Sequence, residues 1–217
     1  MAVRYFEAGI LFGVALDAAR SIQAPLRAGG QRPALVSIVF SVVALEAFLN
    51  EATEKALSVL SSKHSSSFEP NVVSVFAEFM ADAEKSRASL ESKFILGNWI
   101  LTGNKFDRGA PPYQDFWLLL RLRNDLVHFK PNEPFEQGST PEEIHKNLIG
   151  RFSGKNILAD NFGQSVMPWT ETVQTKAVAV WSCETAAQMV ADFVDKAPEG
   201  GWRNLLKASQ LNFTIRR

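Results

Sequence analysis

Cysteine and histidine are both scarce in this chain. Its 217 residues include one cysteine, Cys183, and three histidines, His64, His128 and His145. A single cysteine excludes a disulfide within the chain, and histidines so widely scattered exclude a zinc site built from Cys and His ligands. Cys183 falls in an apolar helical pattern, which predicts a buried, unreactive thiol. We expect no metal or other cofactor, and this cysteine usage favours a reducing cytoplasm.

A net charge and a long apolar run are also missing. The 23 basic and 23 acidic residues cancel, which argues against broad electrostatic binding of nucleic acid but allows a local basic site. The best apolar run, 35–49, contains Ser41 and Glu46 and is shorter than the ~20 residues of a membrane span. Gly9–Leu16 loosely imitates a signal peptide, but it is short and its basic flank is Arg4 alone. The sequence therefore predicts neither secretion nor a membrane partner.

Turn signals divide the chain into helices, and strand patterns are scarce. Helices are predicted over residues 3–26, 33–59, 90–101, 113–130 and 169–196, with further helices starting at Asn71 and Thr140. The second is apolar almost all round as far as Leu49, which is typical of a central, buried helix. The tail 211–215 alternates apolar and polar residues, which predicts a short strand or an arm. In the absence of internal repeats and linkers, we predict one all-α helical bundle over residues 1–217.

The most informative run of side chains is Arg121 to Lys130, with the sequence RLRNDLVHFK. It places two arginines, an Asn–Asp pair and a histidine at the end of an otherwise apolar helix. A histidine moves protons near neutral pH and an arginine neutralises phosphate, so such a pair can in principle cleave RNA without a metal. Arg123 lies one turn from Leu119 and from Val127, which predicts that it points toward the core, where a charge needs a partner.

Helical geometry separates the two residues of this pair. At about 100° per residue, Arg123 and His128 lie about 140° apart around the helix axis. They can therefore flank one phosphate in only two ways. Either the Arg123 side chain curls along the helix, or a second copy of the helix supplies the other half of the site. The expected partner of Arg123 is Glu46, with Asn50 one turn later. Two plainer interpretations stay open. In the first, the Glu46–Arg123 ion pair only sets the register of two helices. In the second, His128 is a surface residue that only closes a helix C-terminus, where positive charge is favourable.

Two segments together resemble the HEPN superfamily. Residues 123–128, RNDLVH, are similar to its Arg-x4-6-His motif, and residues 44–51, ALEAFLNE, resemble the core helix that precedes the motif, with its embedded glutamate. The resemblance implies an α-helical, commonly dimeric protein. In many members it also implies a metal-independent endoribonuclease that leaves a 2′,3′-cyclic phosphate, in toxin–antitoxin, phage-defence or CRISPR-linked systems.

Carried over by position, the resemblance implies three catalytic residues. His128 would be the general acid and base, Arg123 would hold the phosphate, and Asn124 would orient the site. Glu46, Asn50 and Asp125 are expected to support the site, and Arg121 and Lys130 to bind phosphate or RNA. Lys130 stands where a subset of the family carries tyrosine, so regulation by nucleotidylation of that tyrosine is not expected.

The expected partners are a second copy of the chain that completes a composite site, an RNA substrate and an antitoxin protein. Two other functions stay open. One is a non-catalytic HEPN-like dimeric module that binds nucleic acid or another protein, because some members of the family lack activity. The other is a helical protein that binds a small ligand or a nucleotide.

Overall fold

The computed structural model describes residues 7–22, 32–61, 71–128 and 169–215, with five single positions between 150 and 158. All regular structure in these ranges is helical, which confirms the predicted all-α class. The predicted helix from Thr140 lies outside the described residues. The helices are α1 (Glu7–Ser21), α2 (Arg32–Ser61), α3 (Asn71–Lys85), α4 (Leu90–Thr102), α5 (Tyr113–Val127), α6 (Trp169–Thr172), α7 (Lys176–Lys196) and α8 (Gly201–Gln210), followed by a 3₁₀ turn at Leu211–Phe213.

The segment 169–196 was predicted as one helix but forms two, α6 and α7. Thr175 interrupts it with extended backbone, and its hydroxyl accepts a hydrogen bond from the Val178 N–H at 3.0 Å. A threonine in this position satisfies one of the unpaired N–H groups at a helix start. The apolar spacing continues through the interruption, so the spacing alone did not reveal the cap.

Helix α2 is the central helix of the bundle and packs against α1, α3, α5, α7 and α8. Its inward face is apolar, with Ile38, Leu45 and Phe48 fully buried. The run 35–49, considered from the sequence, is too short for a membrane span. By length and composition alone, however, the whole of α2 could cross a membrane, since the mean hydropathy of an apolar window within it reaches 1.9. Half of that apolar window is buried inside the protein, as in the core helix of a helical bundle.

Two apolar clusters show how α2 and α5 run relative to each other. Along α2, the smaller cluster takes Ile38 and Val42, and the larger cluster takes Ala34 and the buried apolar residues from Ala44 onward. Along α5 the order is reversed, because Phe116 belongs to the larger cluster and Leu118–Leu122 contribute to the smaller one. The two helices are therefore antiparallel, and the C-terminal end of α5 lies against the N-terminal half of α2.

The C-terminal tail is a 3₁₀ turn rather than the predicted strand or arm. Phe213 is 3% exposed and stacks on Phe12 with ring centroids 4.6 Å apart, whereas Leu211 is 75% exposed. The alternation of apolar and polar residues arises because one ring inserts into the core, and no neighbouring strand is involved.

The single cysteine is buried, as predicted. Cys183 lies in α7 and is 0% exposed, and its Sγ is 3.3 Å from the Ser37 hydroxyl of α2. Burial raises the pKa of the Cys183 thiol, and hydrogen bonds from Ser37 and Ser41 oppose that shift. A protonated, enclosed thiol is a poor nucleophile.

A buried polar network joins α1, α2 and α8. Glu51 accepts a hydrogen bond from the Ala8 N–H at 2.8 Å and pairs with Lys55 at 3.4 Å, and Lys55 also donates to Ser209. Lys55 is 8% exposed. Burial lowers its pKa from 10.5, and the nearby Glu51 carboxylate partly opposes that shift.

We expect Lys55 to make stability rise with pH. Because the folded-state pKa is lowered, the unfolded chain holds this proton more tightly, and the wild type gains stability relative to Lys55→Met as pH approaches 10.5. Denaturant titrations from about pH 7 to about pH 10 measure this difference in the free energy of unfolding. The exposed Lys85→Met is the matched control and should show no such trend. A pH-independent difference for Lys55→Met would contradict the assignment.

Candidate functional site

Helix α5 carries the site and is anchored at its start. Tyr113 is 2% exposed, and its hydroxyl donates to Glu91 of α4 at 2.6 Å. Burial and this hydrogen bond raise the pKa of Tyr113, so its hydroxyl remains a donor at neutral pH. Phe116 packs edge-on against Phe94 of α4, with centroids 4.9 Å apart. The first turn of α5 is thus fixed to the main core, and the end of the helix carries the candidate residues Arg123 to His128.

The helix ends at Val127, three residues earlier than predicted, and His128 is its C-cap. The His128 N–H donates to the Asn124 carbonyl at 2.9 Å, and φ and ψ of −102° and 27° turn the chain away from the helix. The imidazole is exposed at the C-terminal end of α5. Lys130 lies outside the described residues.

Arg123 is turned toward the core side, as its spacing predicts. It is half-buried, and its Nε is covered and has no hydrogen-bond partner. Its Nη1 donates to the Asn124 side-chain oxygen at 2.9 Å. Within the described part of the chain this neutral amide is its hydrogen-bond acceptor, and no carboxylate pairs with the guanidinium. A partly buried cation in this state favours the approach of an anion.

The two neighbouring charged residues of the motif lie on the solvent side of α5. The Arg121 guanidinium carbon stands over the Trp117 ring, 4.0 Å from its centroid, which is a cation–π contact. Arg121 is exposed, and so is Asp125. Arg121 and Arg123 therefore point to different sides of the helix, so the two guanidinium groups of one chain cannot both bind a single phosphate group.

The predicted ion pair between Glu46 and Arg123 is not formed in the described structure, nor does Glu46 bond to any other described residue. The antiparallel arrangement of α2 and α5 gives the reason. Leu122, next to Arg123, clusters with Ile38 and Val42, whereas Glu46 lies one turn or more further along α2. Glu46 is half-buried and Asn50 is exposed, both on the outer side of α2.

A groove of about 700 Å³ lies elsewhere, along the first turns of α7. It is lined by four apolar residues, two lysines and one glutamate, which are Ile157, Ala177, Val180, Trp181, Lys155, Lys176 and Glu184. Lys155 forms an ion pair with Asp115 of α5, which fixes one side of the groove. Neither this groove nor a smaller one beside Glu184 and Ile215 is lined by Arg123 or His128.

The sequence did not identify this groove, because its members are far apart in the chain and match no motif. The Asp115–Lys155 pair joins residues 40 positions apart, which only the folded chain brings together. Ala177, Val180 and Trp181 share one side of α7 at spacings of three and four residues. Among the described residues, no group of three His, Cys, Asp or Glu side chains could hold a metal ion.

Comparison with known proteins found no relative from which to assign this site. No protein-family model matches the chain, and neither the curated proteins nor the solved structures gave a match. The HEPN resemblance therefore stays an interpretation of residues 44–51 and 123–128.

Proposed function

We propose that this chain is a metal-independent endoribonuclease of HEPN type, acting in the cytoplasm in phage defence or in a toxin–antitoxin or stress response. The observation that carries the proposal is Arg123. It is half-buried, five residues before the exposed His128, its guanidinium donates to a neutral amide, and no carboxylate among the described residues pairs with it. An RNA phosphate is an anion that a planar guanidinium binds through two parallel hydrogen bonds.

The reaction forms a bond between the ribose 2′ oxygen and the adjacent phosphorus and breaks the bond from that phosphorus to the 5′ oxygen. One base takes the 2′-OH proton, and one acid protonates the leaving 5′ oxygen. His128 is the proton-transferring group at the site, and Arg123 neutralises the charge that develops on the phosphate oxygens. In a composite site, His128 of one copy would act with Arg123 of the second copy, its imidazole first taking the 2′-OH proton as base and then giving that proton to the leaving 5′ oxygen as acid.

Asn124 has a positioning role in this scheme. Its side-chain oxygen accepts from the Arg123 guanidinium at 2.9 Å, and its carbonyl accepts from the His128 N–H at the same distance. One residue thus holds the arginine side chain and the backbone from which the histidine projects. Replacing Asn124 by alanine should lower the rate of cleavage but not remove it.

The direct test is cleavage of single-stranded and structured RNA in the presence of a chelator. We expect fragments that end in a 2′,3′-cyclic phosphate, identified by mass spectrometry, at a rate that the chelator does not change. Binding of RNA without cleavage, at protein concentrations far above catalytic, would instead favour a non-catalytic HEPN-like module.

The groove on α7 favours a second candidate, a binding protein for a small anionic ligand or a nucleotide. Lys155 and Lys176 supply positive charge, and the Trp181 ring and Val180 supply apolar surface of the kind that ligand pockets use. Mass spectrometry of the purified protein under native conditions would detect a bound ligand. Lys176→Glu should abolish its retention if the groove holds it, and RNA cleavage should be unaffected.

A further inference from the structure

The groove of about 700 Å³ along α7 begins where that helix begins. Lys176 and Ala177, the first two residues of α7, both line it, and the groove extends along the helix to Glu184. Ile157 is held against the same end of the helix, because its carbonyl accepts a hydrogen bond from the Thr175 hydroxyl at 2.8 Å. A groove of this volume has the size of a site for a small organic molecule.

The start of α7 carries backbone donors that the described chain leaves unused. Thr175 caps the helix, and its hydroxyl accepts a hydrogen bond from the Val178 N–H at 3.0 Å. The N–H groups of Lys176 and Ala177 have no acceptor among the described residues. Such N–H groups give the start of a helix a partial positive charge, which favours an anion there.

The indole of Trp181 adds a donor from a side chain. Trp181 lines the groove and is 8% exposed, and its Nε1 has no hydrogen-bond partner in the described structure. Because helical side chains lean toward the N-terminus, its ring covers the turn that begins at Ala177. A buried indole N–H normally has an acceptor, so this one is suited to donate to a ligand that enters the groove.

The charged residues of the groove leave one cation for a ligand. Lys155 is balanced by Asp115, with which it forms an ion pair. Lys176 is exposed and has no carboxylate partner among the described residues. Glu184 lies eight residues further along α7, roughly 12 Å from Lys176 along the helix axis. A single negative charge at the Lys176 end is therefore matched, whereas a second one would find no cation.

We infer that the α7 groove binds a small monocarboxylate with an apolar body, of the class of fatty acids and aromatic acids. The carboxylate accepts hydrogen bonds at the start of α7 and pairs with the Lys176 ammonium group. The apolar body lies against the four apolar residues of the lining, which are Ile157, Ala177, Val180 and Trp181. Burial of this body supplies most of the affinity, and the helix start sets its direction in the groove.

This inference rests on the second candidate function, a binding protein for a small anionic ligand, and narrows its ligand to one class. A nucleoside phosphate carries close to two negative charges at neutral pH. One of them would face the groove without a cation, and Glu184 would repel it. The inference does not involve Arg123 or His128, so it is independent of RNA cleavage.

The ligand class is tested by titration calorimetry of the full chain with decanoate, acetate and adenosine monophosphate. Decanoate should bind one per chain at submillimolar concentration. Acetate should bind at least about tenfold more weakly, since each buried CH₂ group strengthens binding several-fold. Adenosine monophosphate should also bind more weakly than decanoate. Tighter binding of adenosine monophosphate would overturn the inference but leave the second candidate function standing, and binding of neither would refute both.

Two variants locate decanoate in the groove. Ala177→Trp fills the groove from an exposed position and should weaken decanoate binding at least about tenfold. The matched control is Ala208→Trp, at an exposed position of α8 outside the groove, which should change binding less than about twofold. Lys176→Met should weaken the binding of decanoate about threefold or more and leave that of 1-decanol, which has no charge, unchanged. Equal effects of the two tryptophan variants, or of Lys176→Met on both ligands, would overturn the inference.

The indole N–H signals give a readout within the groove. The chain has five tryptophans, and the signal of Trp181 is identified in a ¹H–¹⁵N spectrum by its loss in Trp181→Phe. Decanoate should shift this signal and leave that of Trp99, which is exposed on α4, in place. An unchanged Trp181 signal at saturating decanoate would place the ligand elsewhere and contradict the inference.

Discussion

Replacing His128 by alanine is expected to lower the rate of RNA cleavage by about 10²- to 10⁴-fold and to leave RNA binding nearly unchanged. Imidazole is the side chain best suited to transfer protons in enzymes, and that of His128 is exposed at the end of α5. Among the described residues its side chain forms no hydrogen bond or ion pair, because the hydrogen bond to Asn124 uses the backbone N–H. The loss should therefore appear in kcat, with the melting temperature preserved.

Arg123→Ala should lower cleavage by a similar factor and also weaken RNA binding. Arg123→Lys should rescue little, since an ammonium group lacks the planar pair of donors that matches a phosphate. The matched control is Arg20→Ala, which removes an exposed arginine of α1 that pairs with Asp17. Cleavage by His128→Ala at the wild-type rate would remove the histidine from the mechanism, and equal losses in all three arginine variants would indicate a general electrostatic effect.

Trp202→Ala is expected to be the most destabilising single change in the described core, at about 3–5 kcal/mol. Trp202 of α8 is 0% exposed, and its ring packs against Phe76 and Phe193 with centroids 4.9 and 6.2 Å away. Its indole N–H donates to the Ala52 carbonyl of α2 at 2.9 Å. Truncation leaves a cavity between α2, α3 and α7, and the melting temperature should fall by about 6–20 °C.

The same substitution at Trp99 provides the control. Trp99 lies on α4 and is 53% exposed, so Trp99→Ala should change the free energy of unfolding by no more than about 0.5 kcal/mol. Both are measured by denaturant titration monitored by circular dichroism, with each variant compared to the wild type. Similar losses of unfolding free energy for the two variants would mean that Trp202 of α8 does not pack into the core as described.

The helices could be predicted from the sequence because their cause is local. Apolar spacing marks each buried face, and turn residues mark the ends, so α2 and α4 were predicted to within two residues at either end. The break at Thr175 was missed because the apolar spacing continues across it. The tail was misassigned because an apolar–polar alternation such as that at 211–215 can arise from a half-buried strand or from a single ring inserted into the core. Here the ring of Phe213 is inserted into the core.

The site was predicted less completely because contacts between helices depend on their direction and relative height. The sequence placed Glu46 and Arg123 each within the apolar pattern of its own helix, and both side chains are half-buried in the structure. It carried no information that α5 runs antiparallel to α2, so that Arg123 follows the part of α5 that packs on Ile38 and Val42 rather than on Glu46. The α7 groove was missed for the same reason, since Lys155 and Asp115 meet only in the folded chain.

The central claim is that the end of α5, from Arg123 to His128, is half of a composite site. Co-expression of Arg123→Ala with His128→Ala tests it most directly. Each variant alone should be nearly inactive. Random pairing makes half of the dimers mixed, and each mixed dimer has one of its two sites intact, so the preparation should recover about one quarter of the wild-type rate. A mixture no more active than either variant alone would contradict the account.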